Sequence, residues 1–86
     1  MPATYEQREW SVGRTDGGWH TVGYTDVEVT RAGEVVKRRA LFWQRANVFG
    51  AEAALAVVKC LAERNGDLVR EQTVDDLTHP MFRGGD

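Results

Sequence analysis

Two short glycine-bearing stretches, "TDGG" at residues 15–18 and "RAG" at 31–33, set the strongest limit on what this chain can fold into. Each separates runs rich in Val, Thr, Trp and Tyr, and connections this short join only antiparallel neighbours. "YEQREWSVG", "WHTVGYTDVEVT" and "EVVKRRALFWQ" therefore read as three strands of an antiparallel meander. From Asn47 the pattern changes. "AEAALAVVKCLAER" is built of helix formers, with Leu55, Val58, Leu61 and Ala62 at helical spacing and Asn65-Gly66 as its stop. "DLVREQTV" reads as a short edge strand, and Thr73 with Asp76 three positions on as the start of a helical turn. The expected fold class is α+β: a three-stranded antiparallel meander packed by one long helix (βββα), to which a short fourth strand and a C-terminal helical turn can be added. One domain spans 1–86, its βββα core at 5–66, with an edge strand or turn and a loosely ordered tail at 67–86.

Turn chemistry also proposes a register. With Asp16-Gly17 as a two-residue turn, Val12 faces Thr21 and Trp10 faces Gly23. With Arg31-Ala32-Gly33 as a three-residue loop, Thr21 faces Trp43, Gly23 faces Leu41 and Asp26 faces Arg38. All three tryptophans then share one face with Val12, Arg14, Lys37, Arg39 and Arg45. Val22, Tyr24, Phe42, Ser11, His20 and Arg38 share the other. One helix covers one face, and two arrangements are open. Burying the tryptophans removes the most apolar area from water. It leaves Val22, Tyr24 and Phe42 as a half-exposed patch, the kind of surface that marks a partner site. The reverse arrangement lets the alanine-rich helix approach Ser11, Gly13 and Ala40, and turns interleaved cations and indoles outward.

Composition narrows the function classes. The 86 residues carry a net charge of −2, with no strongly basic segment and no acidic tail. Residues 1–45 hold seven Lys/Arg against six Asp/Glu and residues 46–86 four against seven, so a polyanion-binding surface would lie in the first half. The single cysteine, Cys60, excludes an internal disulfide and points to a reducing compartment. No apolar run approaches the ~20 residues that span a bilayer, and no signal-peptide core opens the chain. The expected location is the cytoplasm, with no membrane contact.

Candidate chemistry is thin. His20, Tyr24, Asp26 and Glu28 alternate along one strand face, but neighbours two apart share a face in any strand, and no second histidine lies near. His79 reads as a solvated tail residue, Cys60 as a small buried hydrophobe and Asp75-Asp76 as helix-start charge. No spacing fits a zinc site, and "GRTDGG" lacks the lysine and strand–loop–helix setting of a phosphate loop. No catalytic residue, metal or cofactor is expected.

The order "WHTVGYTDVEV", "VVKRRALFW", "GAEAALAVVKCLAE" resembles the arm-type DNA-binding domain of tyrosine recombinases, whose three-stranded sheet enters the major groove. That resemblance covers residues 8–64 and implies nucleic-acid binding; the acidic net charge and the lack of a matching motif depart from it. The short layout of strands, a "RAGEVV" hairpin and an alanine-rich helix resembles the small inhibitors of phage and mobile elements, anti-CRISPR proteins among them. It implies a non-catalytic protein that blocks host machinery. The first expectation is docking on a protein partner through Trp19, Val22, Tyr24, Arg38 and Phe42. The alternative is nucleic-acid binding through Trp10, Arg14, Lys37, Arg39, Trp43 and Arg45. Homodimerisation through the uncovered face is compatible with either.

Overall fold

Both central residues of the first turn have positive φ, which only glycine adopts without strain. Gly17 (φ 58°) and Gly18 (φ 86°) form the turn, and Asp16 pairs with Trp19. The turn thus lies one residue later than Asp16-Gly17 would place it, because that choice would force Asp16 into the left-handed region. The computed structural model describes residues 3–78. Its order is β1 (Thr4–Asp16), β2 (Trp19–Thr30), β3 (Val35–Phe49), α1 (Ala51–Asn65), β4 (Leu68–Val69) and α2 (Val74–Thr78). The four strands form one sheet in the order β3-β2-β1-β4, the first three antiparallel and β4 parallel to β1. The βββα architecture with its short fourth strand and terminal helical turn is the one expected from sequence. No helix among the described residues is long and apolar enough to cross a membrane.

Register is where expectation and structure part. At the second loop, with Gly33 left-handed (φ 88°), Val29 faces Val35, as the three-residue loop requires. Register shifts between Glu28 and Val29, Thr25 and Val27, and Val22 and Gly23 then carry β3 onward. Tyr24 consequently faces Trp43, Val22 faces Ala46 and Trp19 faces Phe49, so β3 runs to Phe49 rather than stopping at Gln44. A further bulge between Val12 and Arg14 sets Val12 against Val22 and Trp10 against Tyr24. Side chains alternate with period two, so each inserted residue exchanges the faces of everything beyond it. The two faces expected from sequence are therefore interleaved. Trp10 and Val12 share the helix side with Val22, Tyr24 and Val48, whereas Trp19 lies on the opposite side. Asp26 does not face Arg38, which pairs with Val27.

Helix α1 buries Ala51, Ala54, Val58 and Ala62, a stripe of mostly small side chains that allows close approach to Trp10, Val12 and Val22. Burying a valine such as Val22 or Val58 contributes about 1.5–3 kcal/mol. Gly50 (φ 94°) opens the helix, and its amide donates to the Gly18 carbonyl, tying the helix start to the first turn. Gly66 (φ 70°) closes it in the left-handed conformation, as the Asn65-Gly66 stop requires. At α2 the Asp76 amide donates to Thr73 Oγ1 (3.2 Å) and the Thr73 amide to Asp76 Oδ2 (2.8 Å), the reciprocal cap expected from spacing. Where β4 ends, the Gln72 amide takes over its role. Gln72 Oε1 accepts from the Val12 amide and Nε2 donates to the Val12 carbonyl. Cys60, expected in the core, is exposed, because the helix turns Ala54, Val58 and Ala62 inward instead.

On the side away from α1, the Phe42 ring lies across Gly13 and Gly23. A Cβ at Gly13 would sit 2.8 Å from the ring, and one at Gly23 would meet both the ring and the Trp43 carbonyl oxygen. Rings can swing and backbone cannot. Gly23→Ala is therefore expected to lower unfolding free energy by about 3 kcal/mol, the upper end for overpacking, and Gly13→Ala by about 1 kcal/mol. Chemical denaturation of both variants checks the order; equal losses would contradict it.

Candidate functional site

Residues expected at a contact surface divide among three places. Val22 and Trp10 are core: Val22 is wholly buried and Trp10 is 3% exposed, so neither side chain can meet a partner. The bulges cause this by bringing Val22 to the helix side and seating Trp10 beneath α1. Tyr24 is half-buried between Trp10 (5.1 Å) and Trp43 (6.5 Å), with the Arg8 guanidinium 4.5 Å from its ring centre. Trp43 stays exposed at the end of that aromatic row.

The second place is the face opposite α1. There Glu9 is buried, accepting from Arg38 Nε (2.8 Å) and Nη2 (3.1 Å), and from Arg70 Nε (3.2 Å). Burial opposes ionisation of Glu9, but the hydrogen bonds and charges of Arg38 and Arg70 outweigh it and hold its pKa below the ordinary carboxylate value. The same contact raises the pKa of Arg38. Arg38 is thus a structural cation, half-exposed but forked onto a buried carboxylate. Phe42, beside it on this face, is half-buried over its two glycines.

The third place is β3 itself. In the order β3-β2-β1-β4 it is an outer strand, fifteen residues long, with no described strand on its far side. It carries Val36 (54% exposed), Leu41 (57%), Trp43 (46%) and Phe49 (62%). Phe49 packs edge-on against exposed Trp19, ring centres 5.3 Å apart. Of the expected cations, Arg39 donates to Glu6 (2.6 Å), which raises the Arg39 pKa. Arg14, Lys37 and Arg45 are exposed and have no carboxylate partner among the described residues.

Two features were not expected from sequence. Phe49 falls beyond the anticipated strand end, although a large apolar residue directly before a glycine was a usable sign that pairing continued. The Glu9 cluster joins residues 29 and 61 positions apart, and nothing local announces it. His20 is buried with Nδ1 2.8 Å from Thr15 Oγ1, at the end of the sheet near the first turn, away from Asp26 and Glu28. His79 lies outside the described residues.

The arrangement presents an apolar, aromatic edge on a scaffold braced by one buried carboxylate. No protein-family model, curated protein or solved structure matches the chain.

Proposed function

We propose that the chain is a small non-catalytic module that docks on another protein, using the outer edge of β3 and the adjoining Trp19–Phe49 pair. The observation that carries this reading is the row of exposed Val36, Leu41, Trp43 and Phe49 along one edge strand. An edge strand offers unpaired N–H and C=O groups, and exposed aromatic and aliphatic side chains add area to such pairing. Aromatic residues and arginine are enriched at interfaces, and they are what this edge displays. The layout resemblance to phage-type inhibitors fits a partner in host machinery, inhibited by occlusion of its surface. Pairing of two copies along β3 is the homodimeric form of the same mode.

Binding of nucleic acid through Arg14, Lys37, Trp43 and Arg45 is the second reading. It has less support, since Trp10 is buried and Arg39 is held by Glu6.

The docking surface is tested with Trp19→Ala/Phe49→Ala. Both side chains are largely exposed, so unfolding free energy should change by less than about 1 kcal/mol. Capture of one specific protein from the native lysate should be lost, and light scattering should show whether dimers are lost with it. Equal capture by variant and wild type removes the Trp19–Phe49 pair from the interface.

A further inference from the structure

Between α1 and β3, on the side of the sheet opposite Trp19, lies a cleft of about 550 Å³. Its walls are Arg8 and Trp10 from β1, Tyr24 from β2, Arg45 and Ala46 from β3, and Val57, Leu61 and Asn65 from α1. The volume falls within the range that holds small ligands, roughly 300–1,000 Å³. Half-buried Tyr24, packed on the buried Trp10 indole, forms one side. Half-buried Val57 and Leu61 form the other.

Two cations stand beside these side chains. Arg45 is the extra residue where Gly23 pairs with Gln44 and Val22 with Ala46, and a bulge of this kind re-aims the side chain it inserts. Arg8 is held by the Tyr24 ring rather than by a carboxylate. A ring positions a guanidinium without neutralising it, leaving charge and N–H donors for a ligand. No carboxylate among the described residues lines the cleft. Glu6, Asp26 and Asp67 border a separate hollow beyond Arg8, and Asp67 is occupied by the Trp10 indole N–H (2.7 Å).

We propose that this cleft between α1 and β3, lined by Arg8, Arg45 and the half-buried Tyr24 ring, binds a small amphipathic carboxylate. The apolar body of the ligand lies between the Tyr24 ring and Val57 and Leu61, and its carboxylate accepts hydrogen bonds from the two guanidiniums. A polyanion is a poorer fit. The site has two cations on a bounded wall of mixed polarity, not a charged track. The inference does not rest on the Trp19–Phe49 pair, which lies on the other side of the sheet.

The probe is 4-phenylbutyrate, titrated into the full chain by calorimetry and followed by amide chemical shifts. Binding in the millimolar range or tighter is expected, with shifts centred on Tyr24, Val57 and Leu61. The neutral 4-phenylbutyramide should bind about tenfold more weakly, as should 4-phenylbutyrate to Arg45→Gln or Arg8→Gln. Lys37→Gln, outside the cleft, and Trp19→Ala/Phe49→Ala should match wild type. Arg45 is exposed, so Arg45→Gln keeps the fold, which circular dichroism verifies. Three results would each overturn the proposal: equal affinity for acid and amide, wild-type affinity in Arg45→Gln, or no binding up to about 10 mM.

Discussion

Replacing Trp10 by alanine lowers the unfolding free energy by about 3–5 kcal/mol, the usual cost of emptying a buried aromatic site. Trp10 is the largest side chain in the cluster that includes Val12, Val22, Ala54, Val58 and Ala62. Small helix residues cannot move inward to refill its volume, because Ala54 and Ala62 carry only a methyl group. The indole also donates to Asp67 Oδ2, and the Trp10 carbonyl accepts from the Arg70 amide, so both sides of β4 are anchored at this residue. Trp10→Phe keeps a ring and loses only the indole hydrogen bond and part of the volume. It should cost less than half as much. Denaturant titration monitored by helix ellipticity measures both, and an alanine variant within about 1 kcal/mol of wild type would mean that Trp10 is not the floor of the helix. Total stabilities of about 5–15 kcal/mol make this loss a large share of what holds a small domain folded.

The second large effect comes from the opposite face. Removing both cations, Arg38→Ala/Arg70→Ala, leaves Glu9 buried and uncompensated and is expected to cost about 3–5 kcal/mol at neutral pH. Glu9→Ala should cost less. The arginines are about half and about a third exposed, and their heads can return to water. The pH dependence follows from the direction of the Glu9 shift. In the wild type its folded pKa is depressed, so its contribution is present above the unfolded value of about 4.3 and is lost as pH falls through the folded pKa. In the double variant burial acts alone and raises the folded pKa, so the penalty is present at neutral pH and relieved as Glu9 protonates. The stability difference between the two proteins should therefore shrink steadily from pH 7 to about pH 3. A difference that stays constant over that range would show that the arginines act through packing rather than charge.

These effects bear on function through rigidity. Trp10 holds α1 to the sheet, and the Glu9 cluster ties β1, β3 and the segment after β4 together. The exposed edge of β3 is thereby presented by a scaffold braced from both sides, which reduces the ordering cost of association. The same bracing shapes the cleft beneath Arg8 and Arg45.

Much of the architecture could be read locally. Strands β1 to β3 follow from β-rich runs cut by glycine turns, α1 from helix formers, its stop from Gly66 and the α2 cap from Thr73 and Asp76. Each depends on neighbours a few positions apart, so local propensity and turn geometry suffice. The surfaces did not follow in the same way. Val22 and Trp10 moved from expected contact residues to core, Arg38 from facing Asp26 to pairing with Glu9, Arg39 from a free charge to an ion pair, and Phe49 from outside the strand to its exposed end.

By itself, then, the chain's sequence determined which segments are strands and helices and in what order they turn back on one another. Only the tertiary structure decided which side of the sheet each residue faces. The physical reason is the two-residue repeat of a strand. A single bulge costs little locally and reverses every side chain beyond it, so register is chosen by the summed packing of Phe42 on its glycines, α1 on Trp10 and the arginines on Glu9.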